Sequence, residues 1–383
     1  MGTSQSDLSV AIVASPPLDS LRVVEVDPQT DARWERFVAT HPDGTIYHHP
    51  AWLDTLQREY GGRTLGLACE DGSRQLRGVL PLMYTKGLPF RTRDQLVGER
   101  LSSLPRTPVS GPLAVDHAAT AALVRTAVER ARAAGTRLQL KAASPLSDGS
   151  VHGLIGIPWR HSYVLNLTRN VEDLKMGDGR ARRRIAWAVN KARRLGVEVR
   201  PAETEVELRA WYVLYLATMR GLGVLPRSYQ FFRAAWEILQ PRGLMRLLIA
   251  EQRGIGRARL LAGSLFLMFG DTVSYAFTGW HRADHALRAN DIVHWQAIQD
   301  ACQQGFRRYD FGEVSGGQDG LAAFKSKWGG EPRQLFRYYY PAPHRYETGS
   351  AQSGRLLRFG RAAWRRLPLT ATARVGNWLY SYL

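Results

Sequence analysis

The chain has 383 residues, and its 52 Lys and Arg against 34 Asp and Glu give a formal net charge of +18. That excess favours polyanionic partners such as nucleic acid, nucleotide phosphates or anionic lipid. An apolar share of 44% with 11 Trp, 15 Tyr and 12 Phe excludes a disordered or fibrous class and leaves room for two domains, each with its own core. Cys69 and Cys302 stand alone without a CxxC or Cys/His cluster, so neither a disulfide framework nor a bound metal is expected. The start MGTSQSDLSV lacks the pattern of a secretory signal, and no apolar run is long enough to span a bilayer, so a cytoplasmic protein is expected.

Residues 1–20 read as a disordered leader. LRVVEVD (21–27) reads as a strand and DARWERFVATH (31–41) as an amphipathic helix; a second helix starts near Pro50 in YHHPAWLDTLQREYGG (47–62). Residues 64–87 read as a hairpin turning at Glu70-Asp71-Gly72, and 91–115 as loop with short strands. The helix 118–135 ends at Gly135 and precedes the strand 136–143. His48 and His49 sit among aromatic and Pro neighbours that suggest packing.

The second half repeats this order. A strand at 162–167 is followed by helices at 206–223 and 228–243, three strands within 244–280, a helix from Asp291, and the strand RRYDFGEV (307–314). Ile292, Trp295, Ile298 and Cys302 form one apolar stripe on that helix, and Asn290 or Asp291 can cap its start. The hairpin strands LRGVLPL (76–82) and LAGSLFL (261–267) read as copies, which predicts two similar domains fused in tandem. A Gly-rich segment carrying Lys325 and Lys327 follows the last strand of the crossover; if it is extended, the two lysines face opposite ways.

Two basic segments stand outside this order. From Lys175 to Arg200 there are nine basic residues against Asp178 and Glu198. Arg180, Arg182, Arg183, Arg184, Lys191, Arg193 and Arg194 crowd one helix without acids at pairing distance, a density that suits a phosphate backbone. The tail from Ser353 to Leu383 carries six Arg and no acid, beside Trp364, Leu367, Trp378 and Leu379. It can lie on anionic membrane, dock on a domain surface or clamp nucleic acid.

LAGSLFL, TGW, RANDIVHWQAI, YDFG and GLAAFKSKWGGEP, in this order of elements, resemble the FemAB/FemX-like group of tandem-GNAT transferases, and the neighbouring BioF2-like acetyltransferase domain group, over residues 20 to 340. The resemblance implies an α+β fold of two GNAT (acyl-CoA N-acyltransferase-like) domains, at 21–160 and 161–342. The second would include the basic helix 173–200 as a linker, and a basic tail would occupy 343–383. It implies an aminoacyltransferase: an aminoacyl group passes from aminoacyl-tRNA, the donor substrate, to an amine of a peptide or nucleotide-linked acceptor. No separate cofactor is implied, and a monomer is expected. Aminolysis of that ester needs a neutral amine, a route for its proton and a partner for the developing oxyanion. The resemblance places the functional cation at Lys325, with Lys327 as its substitute, and Asp310 and Glu313 as the nearby acids. It assigns Arg227 to acceptor phosphates with Tyr229 packing alongside, and Trp280 and Asn290 fall at the substrate end of the crossover. The Arg-rich helix would hold tRNA.

One departure keeps other readings open. The long helical arm of FemA-type proteins is missing, which leaves natural-product or envelope chemistry as settings. An acyl-CoA-dependent N-acyltransferase is the alternative. It is disfavoured by the lack of glycine between Trp280 and the crossover helix, where acetyl-CoA enzymes bind pyrophosphate on backbone amides. A catalytically inactive module binding RNA or membrane is the third reading.

Overall fold

The computed structural model describes residues 21–62, 64–86, 99–146, 153–253, 258–342 and 364–380. The leader and the stretch with Arg355, Arg358 and Arg361 lie outside the described residues. The first half runs β1 (Arg22–Val26), α1 (Ala32–Thr40), a single turn Ile46–His48, α2 (Pro50–Tyr60), β2 (Leu65–Glu70), β3 (Leu76–Thr85), β4 (Arg100–Ser102), β5 (Leu113–Ala114), α3 (His117–Ala133) and β6 (Arg137–Ala142). A long strand β7 (Ile155–Asn166) and the basic helix α4 (Gly179–Arg194) lead into β8 (Val197–Pro201). The second half continues with α5 (Glu205–Leu222), α6 (Tyr229–Leu239), β9 (Met245–Gln252), β10 (Arg259–Phe269), β11 (Thr272–Trp280), α7 (Ala289–Gln303), β12 (Arg308–Val314), α8 (Asp319–Lys327) and β13 (Glu331–Tyr340). A last helix α9 (Leu369–Tyr380) closes the described chain.

All strands join one sheet in the order β1-β2-β3-β4-β6-β13-β7-β12-β11-β10-β9-β8, with β5 beside β3. In each half a strand, a crossover helix and a parallel strand recur: β4-α3-β6 and β11-α7-β12. The halves exchange strands at the centre. The strand after β6, β7, pairs with β12, and the strand after β12, β13, pairs with β6, while β7 and β13 pair antiparallel with each other. This exchange gives the sheet a pseudo-two-fold axis between β7 and β13. The boundary expected at residue 160 falls inside β7, so the sheet has no seam there.

Three cores flank the sheet. Trp34, Trp52, Trp211, Phe231 and Phe232 join α1, α2, α5 and α6 into one core shared by both halves on one face. On the other face, α3 covers the first half, while α7 and α4 cover the second. The α4 helix is therefore part of the second half and not a linker, because Ile185, Ala188, Val189 and Ala192 form its buried stripe.

The seat of α5 explains two motif glycines. Gly263 and Gly279 face each other across β10 and β11. A Cβ on Gly279 would stand 2.4 Å from the Tyr215 backbone N, and one on Gly263 would stand 2.6 Å from the Trp211 ring. The Trp211 indole also donates to the Gly263 carbonyl at 2.8 Å. Gly279→Ala must push a helix backbone, and we expect a loss of about 3 kcal/mol or more by urea denaturation, the upper end for overpacking. Loss below about 1 kcal/mol would show that α5 is free to shift.

The Gly-rich segment is not extended but forms α8, a two-turn helix whose Lys325 side is buried. Lys325 and Lys327 diverge because they lie two residues apart on a helix, not on a strand. The terminal helix docks on the protein: Thr372 is buried, Leu369 and Ala373 meet the shared core, and Arg220 donates to the Leu367 carbonyl at 2.9 Å.

Candidate active site

The site is set by a splay. β11 and β12 pair in parallel over only three residues each, ending at Ser274 opposite Asp310. Both strands then run on, to Trp280 and Val314, and diverge. Tyr309 and Phe311 join the core under α7, so Asp310 points to the opposite face of the sheet, toward α2 and α6. Gly312 adopts φ 76, and the pairing with β7 slips between Asp310 and Glu313. Residues three apart on a regular strand point to opposite sides; this one-residue bulge returns Glu313 to the face of Asp310. Glycine is needed there because L side chains rarely adopt that φ.

Asp310 accepts from the Ser162 hydroxyl at 2.6 Å and from the Gly312 amide at 2.7 Å. Burial nevertheless pushes its carboxyl above the ordinary value, with those two donors pulling the other way. Lys325 reaches the bulge from α8 and donates to the carbonyls of Gly312 at 2.7 Å and Glu313 at 3.0 Å. Burial lowers its amine to about 8, against the attraction of Asp310 and Glu313. Its contact with the two acidic positions is thus through backbone and field rather than a carboxylate bond. Glu313 spends its carboxylate on Arg337 at 3.1 Å and Arg160 at 3.4 Å, so Asp310 is the freer acid.

One residue at this rung escaped the sequence reading. Tyr47, in the turn before α2, comes from the first half and lies within interaction reach of Ser274, Asp310, Glu313 and Arg227, while its ring meets Trp52 edge-on at 5.4 Å. Burial and the two carboxylates raise its phenol, which stays protonated. Its neighbours His48 and His49 pack as expected: His48 pairs with the Gly111 carbonyl at 3.0 Å, and burial holds it down at about 4.

The expected substrate residues divide. Arg227 is 2% exposed and its fork is committed to Glu59 of α2 at 2.5 Å and to the Arg106 carbonyl at 3.0 Å, over the Phe231 ring. A phosphate contact there would have to displace a buried carboxylate, which corrects the role expected for it. Tyr229 turns away from the site and donates to Glu205 at 2.9 Å, with Arg209 over its ring. Lys327 pairs with Asp291 of α7 at 2.9 Å and serves to hold α8 on α7 rather than to replace Lys325. Trp280 ends β11 at the open side of the splay, where its amide donates to Thr218 at 2.9 Å.

Neither Asn290 nor Asp291 caps α7. The N-cap is Arg288, at φ 59, without a side-chain cap. The turn therefore adopts left-handed backbone without the glycine whose absence argued against an anion there, so that argument weakens. The buried Oδ1 of Asn290 has no hydrogen-bond partner among the described residues.

The basic helix lies beside this opening. Arg180, Arg182, Arg183, Arg184, Arg193 and Arg194 are exposed, and Lys191 is partly so. Trp187, half exposed on the outer side of α4, has Lys191 and Arg288 each 5.2 Å from its ring. The chain before α4 touches α8: a Cβ on Gly177 would stand 3.0 Å from the Lys327 carbonyl. No helix among the described residues is long and apolar enough to cross a membrane, and no group of His, Cys, Asp or Glu among them could hold a metal ion.

Residues 179–326 match the family model described as an acetyltransferase (GNAT) domain. No curated protein matches the chain. Among solved structures, FemX is similar with a TM-score of 0.62 at 16% identity, over 82% of this chain and 96% of that one. L-PGS from Bacillus licheniformis gives 0.54 at 13% identity, covering 88% and 98%. A protein of unknown function from Bacteroides thetaiotaomicron gives 0.55 at 11%, covering 83% and 99%. At such identities the likeness speaks for fold. Residues 179–326 thus carry a GNAT domain, and over 82% of its length the chain shares the fold of FemX.

Proposed function

We propose that the protein forms an amide by transferring an aminoacyl group from aminoacyl-tRNA to an amine on a small acceptor. The observation that carries this reading is the seat of α4: the exposed Arg-rich helix packs on α7, and the chain before it touches α8, which bears Lys325. A polyanionic carrier lying along α4 would have its esterified end at the splay. The acceptor amine approaches from the α2 face and gives its proton to Asp310, whose carboxyl burial holds above its ordinary value and so makes a stronger base. Nitrogen bonds to the ester carbon, the ester C–O bond breaks, and the departing ribose oxygen meets the ammonium of Lys325. Two of that group's protons are held by the Gly312 and Glu313 carbonyls, which leaves one to aim outward. Tyr47 offers a further neutral donor at the same rung.

The test is turnover with charged tRNA and an amine panel, with and without RNase. Product that survives RNase, or release of free thiol from an acyl-CoA, would replace this reading. Thiol release is the second reading, favoured by the uncapped α7 terminus and its left-handed Arg288. Replacing Arg180, Arg184 and Arg194 together by Glu should weaken RNA binding at least tenfold and flatten its salt dependence. Mobility-shift titrations at two salt concentrations check this, and an unchanged slope would remove α4 from the interface.

A further inference from the structure

On the face that carries Asp310, the central strands β6, β13 and β7 present a belt of basic side chains. Arg337 of β13 and Lys141 of β6 stand directly opposite each other in register. Both are 5% exposed. Like charges in that relation destabilise a sheet, and burial, with Arg337 and Arg100 close by, pushes the Lys141 amine well below its ordinary value. Arg160 of β7 and Arg337 flank the Trp159 ring at 4.9 and 5.2 Å and share the single carboxylate of Glu313. Lys141 donates to the Leu104 carbonyl and Arg337 to the Pro108 carbonyl at 2.8 Å, two neutral acceptors. The neighbouring donors are idle: the Trp159 indole N–H and the fully buried Ser102 hydroxyl have no hydrogen-bond partner among the described residues. Arg227, the cation first expected to receive an anion, is already neutralised by Glu59.

A buried row of basic groups, one of them held from its proton by burial and its neighbours and with unused donors beside it, is a frustrated arrangement unless an anion completes it. We propose that Lys141 and Arg337 form a socket for an anionic group, a carboxylate or a phosphate, on the acceptor molecule. The Glu313 carboxylate links the socket to the bulge that holds Asp310, so an amine a few bonds from the anion reaches the base. The acceptor class is then an amine with an acidic group close by, not a simple alkylamine. Only the naming of the ligand as acceptor rests on the acyl-transfer reading; the socket itself does not.

The test uses the full chain and reads thermal melting, so it is independent of turnover. Inorganic phosphate, N-acetylglycine and N-acetylglycinamide are added at ionic strength matched with potassium chloride, to wild type and to Lys141→Met. In the wild type, phosphate or N-acetylglycine should raise the midpoint by a few degrees, while the amide should not. Which of the two acts distinguishes phosphate from carboxylate. Lys141→Met should melt higher than wild type without added anion, because the opposed charge is gone, and should ignore both anions. A wild type unmoved by either anion overturns the proposal. So does a Lys141→Met variant that melts lower or keeps the response, since Lys141 would then be a structural residue.

Discussion

Lys325→Met is expected to lower kcat about 10²–10³-fold, the scale of losing one aimed donor at a developing oxyanion. The methionine keeps the length of the stem, so α8 should remain seated through Trp328 and the Lys327–Asp291 pair. The same lysine predicts a pH signature. Its amine sits at about 8 instead of 10.5, and only the protonated form can give a proton to the leaving oxygen. Turnover should therefore fall as pH rises through about 8. Stability should move the other way. Between 8 and 10.5 the unfolded chain binds the proton and the folded chain does not, so this group's contribution to stability rises with pH across that window. The span amounts to about 3 kcal/mol at most. A falling rate over a rising melting point separates loss of the catalytic proton from unfolding. Lys325→Arg should keep the rate limb flat to higher pH; a wild-type limb at about 8 that persists in the Arg variant would assign it to another group.

Most elements were legible because local pattern and packing agree. The α1, α2, α3, α5 and α7 helices begin and end within a few residues of their sequence signals, and Thr204 with Glu207 forms a capping box at the start of α5. Three features were hidden for distinct reasons. GGQDGLAAFKSKWGG carries glycine on both sides, which masks the short helix that Phe324, Lys325 and Trp328 stabilise by packing on α7 and β12. The exchange of β7 and β13 depends on pairings some 170 residues apart in sequence, as between Gln334 and His161, to which local periodicity is blind. The bulge at Gly312 changes which side chains share a face, so Asp310 and Glu313 could be named as acids without their common direction being known. Arg227 shows the complementary failure. The residue type was legible, but its partner, Glu59, is contributed by the other half, and only tertiary structure reveals that the fork is filled.

That pair yields the largest expected effect on stability. Arg227 and Glu59 are each 3% exposed in their side chains, and they tie the start of α6 to the end of α2. Burial pushes the Glu59 carboxyl up, against the attraction of Arg227 and Arg106. Its second oxygen, Oε1, is buried without a hydrogen-bond partner among the described residues, so the pair is not an optimised one. Glu59→Ala leaves the buried guanidinium over Phe231 without its carboxylate, and should cost about 3–5 kcal/mol in urea denaturation. Replacing both, Glu59→Leu with Arg227→Met, should recover most of that loss, because neither desolvated charge remains. The cycle also decides between two jobs for Arg227. If its purpose were to meet an acceptor phosphate, Glu59→Ala would free the fork, and phosphate would restore the variant's melting point. If the pair serves to join the halves, phosphate raises Glu59→Ala by no more than it raises wild type, and the double variant keeps its affinity for an acidic acceptor at Lys141 and Arg337.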